Sequence, residues 1–151
     1  MGGNPMNNRE ISILIMESIQ DFTNLIKILN QERHKLDDIL TDKQFLALGS
    51  MVNYDKIELK NLSRDLHVST SSLCILMNKL VDQGYVYREE DTKDRRNTFY
   101  GLTKEGRDIL DKEIEKFLSI IDIRIETLDE EEKRRLFAAV SEANSIMKDF
   151  L

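Results

Sequence analysis

The most informative segment of this chain is residues 66–106, LHVSTSSLCILMNKLVDQGYVYREEDTKDRRNTFYGLTKEG. Its first half carries apolar residues at three- and four-residue steps, which predicts a helix from an N-cap at Ser69 to about Gln83, followed by a left-handed glycine. The pattern then changes to two runs of β-branched and aromatic residues, 85–90 and 98–102, around a charged stretch. This change predicts a β-hairpin with an exposed tip.

A short helix is predicted just before this segment. Leu59, Leu62 and Leu66 place it at roughly residues 58–66, with no good N-cap in front of it. Two short helices joined by a tight turn therefore lead into the hairpin. This order is typical of a helix-turn-helix whose second helix enters the major groove of DNA and whose hairpin is a wing.

Two groups of polar side chains are candidates for contacts with DNA. The start of the second helix carries four hydroxyl groups, on Ser69, Thr70, Ser71 and Ser72, beside free backbone N–H groups. Arg95 and Arg96 lie at the hairpin tip, where they could reach a narrow, A·T-rich minor groove. Alternatively, the hydroxyls serve only as a helix cap, and the arginines only brace the hairpin, for example with Arg88 paired to Asp94.

Four longer helices are predicted on either side of this unit. They cover residues 8–36, 41–53, 103–128 and 129–150, and Thr41, Thr103 and Asp129 are the caps of the last three. Gly106 is expected to be merely tolerated in the first turn of the third. The chain is thus predicted to be mainly α with a small β-hairpin wing, a winged helix-turn-helix of six helices. Residues 1–7 are expected to be disordered.

Composition and charge agree with one intracellular domain. The 151 residues are 40% hydrophobic and 33% charged, with one Pro and one Cys, so a turn-rich β-fold and an internal disulfide are excluded. There is no apolar run of membrane-spanning length and no secretory signal, so we expect a cytoplasmic protein without membrane contact. The net charge is −6, yet residues 56–107 hold ten Lys/Arg against eight acids. The middle of the chain is the part best suited to nucleic acid.

Residues for catalysis or metal binding are not found in a recognisable pattern. His34 and His67 are far apart, no glycine-rich phosphate loop is present, and the acidic pairs are typical of helix ends. Cys74 lies in the middle of its predicted helix, where a small packing residue is favoured over a redox sensor. We therefore expect neither an enzyme nor a bound cofactor or metal.

The same residues resemble the MarR family of bacterial transcription regulators. Asp94-Arg95-Arg96, followed by Leu102-Thr103 and Gly106, matches the family's D-x-R and L-T-x-x-G pattern at the same spacing. Residues 40–45, LTDKQF, match the opening of its second helix, L-T-x-x-Q-F. The resemblance covers essentially the whole chain after Met6.

The resemblance implies a homodimer that binds double-stranded DNA at a pseudo-palindromic operator, most often as a repressor, and possible release by a small-molecule effector. Residues 8–40 and 108–151 would form the helical dimerisation region, and residues 41–107 the DNA-binding lobe. Covering the apolar faces of the long helices favours the same dimer. Thr70, Ser71 and Ser72 match base-contacting positions, Lys79 a backbone-contacting position and Arg96 the wing arginine, with Arg95 beside it. No effector-binding residue can be singled out.

One departure from the family pattern concerns specificity. Cys74 and Ile75 stand where many members have Ser or Thr and then Arg. Because isoleucine cannot make the bidentate contact of arginine with guanine, we expect a weaker or more A·T-leaning readout. Ile75 either touches a thymine methyl group or lies away from the bases. The alternative function is a winged-helix protein–protein adaptor that has lost operator binding, which the net negative charge favours.

Overall fold

The computed structural model describes residues 5–37 and 39–151 and contains the six helices and the hairpin predicted from the sequence. In chain order the elements are α1 (Asn8–Leu36), α2 (Asp42–Met51), β1 (Ile57–Glu58), α3 (Leu59–Asp65), α4 (Thr70–Asp82), β2 (Val86–Glu90), β3 (Thr98–Leu102), α5 (Lys104–Ile125) and α6 (Glu130–Phe150). The predicted disorder of residues 1–7 falls partly on residues 1–4, which lie outside the described residues.

Side-chain caps explain where the helices begin. Thr41 and Gln44 form the predicted capping box: the Thr41 hydroxyl accepts from the Gln44 N–H at 3.2 Å, and the Gln44 carbonyl oxygen accepts from the Thr41 N–H at 3.1 Å. Asp129 and Glu132 form a second capping box at the start of α6. These bonds satisfy backbone donors that a helix leaves free in its first turn.

The sheet has three strands, where the sequence predicted only the two of the hairpin. β2 pairs with β3 in antiparallel register from Val86↔Leu102 to Glu90↔Thr98. β1 pairs with the other edge of β3, with Ile57 opposite Tyr100, so the strand order is β1-β3-β2. The third helix begins at Leu59, and Glu58 belongs to β1. A two-residue strand has no periodicity of its own, because its partner strand alone defines it.

The hydrophobic core lies in the winged lobe, between α2, α3, α4, the sheet and the start of α5. Its central members are fully buried: Leu40, Ala47, Leu48, Leu62, Met77 and Leu80. Gly84 ends α4 with a φ of 81°, which is the left-handed conformation predicted for it. The core thus packs α4 against the hairpin.

The long helices bury far less of their apolar surface. α1 buries only Leu29 and Arg33 along its 29 residues, and α6 buries none of its residues. Phe22 on α1 is 60% exposed and Phe137 on α6 is 77% exposed. The single chain therefore presents a large apolar surface outside its lobe.

A group of charges centred on the buried pair Arg33 and Glu113 joins the lobe to the long helices. We call Arg33, Asp37, Asp42, Glu113 and Lys116 the Arg33 cluster. Arg33 is fully buried and donates to Glu113 at 2.6 Å, to Asp42 at 2.8 Å and to the Leu40 carbonyl at 3.1 Å. The Phe45 and Phe117 rings stack at 5.1 Å beside its guanidinium group. α1, α2 and α5 are thus tied together at one point.

Candidate nucleic-acid interface

The turn between α3 and α4 is held by hydrogen bonds that set the angle of α4. His67 lies in this turn, is exposed and has a φ of 53°, a left-handed conformation that few residues other than glycine adopt. On either side of it, the Val68 N–H donates to the Ser63 carbonyl at 3.1 Å and the Ser63 hydroxyl donates to the Val68 carbonyl at 2.7 Å. These two hydrogen bonds between Ser63 and Val68 close the turn and fix the direction of α4 relative to α3.

The four hydroxyl residues at the start of α4 are exposed, as predicted, but their surroundings differ. Ser69 is the N-cap: its hydroxyl oxygen accepts from the Ser72 N–H at 3.2 Å and lies 2.9 Å from the Ser72 hydroxyl. The Ser71 hydroxyl lies 3.3 Å from that of Ser69. Ser69 therefore holds the start of the helix together. The Thr70 hydroxyl is not part of this cluster of three serine hydroxyls.

The face of α4 opposite the core is exposed. Leu73, Met77 and Leu80 are buried on one side of the helix. The exposed side carries Ser71, Ile75, Asn78 and Lys79. Lys79 thus lies on the same open face as the serines at the helix start, as its predicted role requires.

The wing tip is shaped by the Asp94 carboxylate. This group accepts from the Arg96 backbone N–H at 3.0 Å and pairs with the Arg96 guanidinium at 3.3 Å. The Arg96 side chain is still 92% exposed, and Arg95 is exposed beside it. The bracing pair of Arg88 with Asp94, the example given for the alternative interpretation, does not form, since the Arg88 guanidinium faces Glu90, 3.8 Å away on the same strand. The arginines at the tip point to solvent.

The helix and the wing meet at a cleft of about 230 Å³. Its lining includes Thr70 from α4 and Arg96 from the wing, together with Lys60 from α3. The structure thereby brings together two predicted site residues that are far apart in the chain. Arg95 and Lys79 do not line this cleft.

A winged-helix family model matches this part of the chain. The model is described as a winged helix DNA-binding domain, and it covers residues 44–121, just over half of the chain. The chain belongs to the winged-helix DNA-binding family. The family domain includes α3, α4, the wing and most of α5, so the candidate interface lies entirely inside it.

Comparisons with individual proteins agree with the predicted resemblance to the MarR family. The chain is similar to the HTH-type transcriptional regulator SarZ of Staphylococcus aureus, with 30% identity over 93 residues, 62% of this chain and 57% of that protein. The aligned part spans about half the length of the SarZ sequences that it matches. A MarR family protein from Bacillus stearothermophilus has the same fold, with a TM-score of 0.75 at 20% identity over 95% of this chain and 99% of that one. The fold also matches Streptococcus pneumoniae FabT in complex with DNA, with a TM-score of 0.64 at 20% identity over 93% and 99% of the two chains.

The predicted winged-helix fold of the MarR type is therefore confirmed. SarZ and a second relative, the uncharacterized HTH-type transcriptional regulator YwhA of Bacillus subtilis, both bear the names of transcriptional regulators. No group of metal-binding side chains occurs within the described residues. Across the same part of the chain, no helix is long and apolar enough to cross a membrane.

Lys60 is a further residue of the candidate interface, and the sequence interpretation missed it. It lines the cleft with Thr70 and Arg96, although its ammonium group also contacts Glu58 at 3.0 Å. Its only signal was its place among the ten basic residues of the middle segment. Nothing in the local pattern showed that the start of α3 lies beside the wing.

Lys56 is a basic residue of the same segment with a structural role. Its ammonium group pairs with Glu89 at 2.9 Å and lies 5.0 Å from the centre of the Phe99 ring. The hydrogen bond to Glu89 raises the pKa of Lys56, which keeps the Lys56 ammonium group protonated. Lys56 therefore braces the two strands of the wing.

Cys74 lies on the flank of α4, between the buried and the exposed faces. It is partly buried, and the Asn78 amide contacts its sulfur at 3.7 Å. Burial raises the pKa of the neighbouring Tyr100 phenol, and the interaction with Cys74 adds to the rise. These contacts agree with the interpretation of Cys74 as a small packing residue.

Proposed function

We propose that this chain is a homodimeric, DNA-binding transcription regulator of the MarR type. One observation carries the proposal: the exposed start of α4 and the wing arginine line a single cleft, while the opposite face of α4 is locked into the core. Phosphates and base edges fit a helix N-terminus that carries free N–H groups and hydroxyls. A neighbour of the same fold, FabT, has been crystallised with DNA, which supports the same use of the fold here.

Each side chain of the proposed interface has a specific role. Thr70, Ser71 and Ser72 contact base edges and phosphates in the major groove, and the Ser69 hydroxyl holds Ser71 and Ser72 in place. Lys79 contacts the DNA backbone. Arg96 and Arg95 enter the adjacent minor groove, where Asp94 orients the Arg96 side chain.

The second copy of the chain covers the long helices. In a monomer the apolar side chains of α1, α5 and α6 would stay exposed to water, which is unfavourable. In a homodimer the same surface of each chain covers that of the other, so both copies bury these side chains. Residues 8–40 and 108–151 form this dimerisation region, and residues 41–107 form the lobe. Two lobes related by a twofold axis bind two half-sites of a pseudo-palindrome, about one helical turn apart.

Regulation would follow from the geometry of that dimer. Occupying an operator blocks transcription, and a small-molecule effector that favours another spacing of the two α4 helices releases the DNA. Repression and effector release are the finer parts of the proposal, and binding to DNA can be tested without them.

The test is fluorescence anisotropy on labelled duplex DNA from the region upstream of the protein's own gene, with random duplex as competitor. We expect saturable binding that resists the competitor and weakens steeply as salt rises, because several phosphates are neutralised. Arg96→Ala should weaken binding about tenfold or more. The matched control is Lys43→Ala, which removes an exposed positive charge of α2 outside both the proposed DNA interface and the dimerisation region and should bind like the wild type.

Equal affinity of the Arg96 and Lys43 variants would contradict the role of the wing. Binding no tighter than to random duplex, followed by failure to enrich any site from genomic DNA, would instead favour the protein–protein adaptor.

A further inference from the structure

Ile75 occupies the crest of α4. At 100° per residue, it lies on the side of the helix opposite the buried Leu73 and Met77. The Ile75 side chain is 73% exposed, so it contributes almost nothing to the core. Ile75 therefore points outward, which is the orientation that contact with a thymine methyl group requires.

The surroundings of Ile75 are polar. Within α4, every other exposed residue is polar: Thr70, Ser71, Ser72, Asn78, Lys79 and Asp82. Ser71 lies one turn before Ile75, and Lys79 lies one turn after it. A single branched apolar side chain therefore stands in the middle of the face that the proposed function turns toward DNA.

The chemistry of the major groove limits what this side chain can recognise. Isoleucine has no hydrogen-bond donor or acceptor, so it cannot read guanine, cytosine or adenine through their polar edges. The C5-methyl group of thymine is the apolar feature of the groove. Contact with that methyl group removes apolar surface from water on both sides.

We propose that Ile75 is a specificity-determining residue that reads a thymine methyl group in each half-site of the operator. The inference rests on the proposed function, since it requires α4 to enter the major groove. It adds the identity of one base and the chemical group through which that base is read. Asn78 and Ser71, on either side of Ile75, supply the neighbouring polar contacts.

The experiment begins with selection of binding sites from a random duplex library by the full-length protein. In the selected duplex, each thymine of a half-site is then replaced in turn by uracil, which removes only the methyl group, and binding is measured by anisotropy at fixed salt. We expect one position per half-site at which uracil weakens binding about fourfold, the effect of losing one buried methyl group. The same substitution should leave binding by Ile75→Ala unchanged.

Two further variants sharpen the result. Leu46→Ala removes a similarly exposed aliphatic side chain from α2 and should retain the full sensitivity to uracil. Ile75→Arg should enrich guanine at the position where the wild type enriches thymine, because arginine forms a bidentate contact with guanine.

The outcomes separate this inference from the proposed function. Selected, salt-sensitive binding without any methyl-sensitive thymine would overturn the role of Ile75 and leave the regulator intact. The same holds if Ile75→Ala is as sensitive to uracil as the wild type. Failure of the wild type to enrich any sequence and to bind duplex DNA would overturn both.

Discussion

Gly106 shows how one position can control the attachment of the wing. The Gly106 N–H donates to the Thr103 hydroxyl at 3.0 Å. Thr103 in turn donates its backbone N–H to the Tyr85 carbonyl at 3.1 Å and its hydroxyl to the Gly84 carbonyl at 2.6 Å. A Cβ on Gly106 would lie 1.9 Å from the Tyr85 carbonyl oxygen. The expectation that Gly106 is merely tolerated is therefore wrong, because the first turn of α5 packs directly on the backbone before β2.

We predict that Gly106→Ala destabilises the protein by about 3 kcal/mol or more, since two stretches of backbone must move apart. Gly49 is the matched control: it lies inside α2, and a Cβ there would meet no atom within 4 Å. Gly49→Ala should stabilise the protein by about 0.5–1 kcal/mol. Urea unfolding followed by circular dichroism measures both. Equal stability of the two variants would contradict the close approach.

Ion pairs hold the helices α1, α2 and α5 together where they meet. Burial lowers the pKa of Lys116, but hydrogen bonds to Asp37 and Glu113 outweigh this effect, and the pKa is raised overall. Lys116 therefore stays protonated and shares Glu113 with the buried Arg33. A second tie lies further along, where Arg124 of α5 donates to both carboxylate oxygens of Glu32 in α1. This hydrogen bond from Arg124 lowers the pKa of Glu32.

Removing one partner of the Arg33 cluster should be far more harmful than removing two. Arg33→Met leaves Glu113 buried and deprived of one of its two cations, and we expect a loss of about 3–5 kcal/mol. The double variant Arg33→Met with Glu113→Leu replaces the central pair by apolar groups and should recover much of that loss. Unfolding free energies from urea titrations test this. A double variant less stable than Arg33→Met alone would contradict it.

The whole chain has a well-packed lobe and a poorly covered helical region. The core residues gather in α2 to α5 and the sheet, whereas α6 contributes no buried residue. Large side chains such as Phe22, Leu118, Ile123 and Phe137 are between 47% and 77% exposed. Such a surface is typical of a protein whose folding is completed by association.

We predict that the wild type sediments as a dimer at micromolar concentration and that its unfolding midpoint rises with protein concentration. Phe137→Glu should shift it toward monomer, because a charge is placed in the apolar contact. Leu46→Glu, on the exposed side of α2 in the lobe, should leave the dimer intact. Sedimentation equilibrium distinguishes the two variants. A monomeric wild type would contradict the proposed dimer.

The features that the local sequence pattern predicted are those determined by interactions between residues a few positions apart. The Ser69 cap, the period of α4, the left-handed Gly84 and the change to strand pattern each depend on contacts within a few residues. The MarR resemblance adds the spacing from Asp94 to Gly106. Together these define the fold and most of the candidate interface from the amino-acid sequence.

Other features depend on residues that are distant in the chain, so only the tertiary structure decides them. β1 exists because β3 pairs with it, Gly106 is required because Tyr85 lies against it, and Arg33 meets Glu113 across 80 positions. The helical period of α4 placed Ile75 outside the buried positions, but its exposure follows from how Leu73 and Met77 pack. Helix caps and helical periodicity depend on residues that are close together in the sequence, so a local pattern reveals them. Contacts between distant residues form only when the chain folds around its core, so only the tertiary structure reveals them.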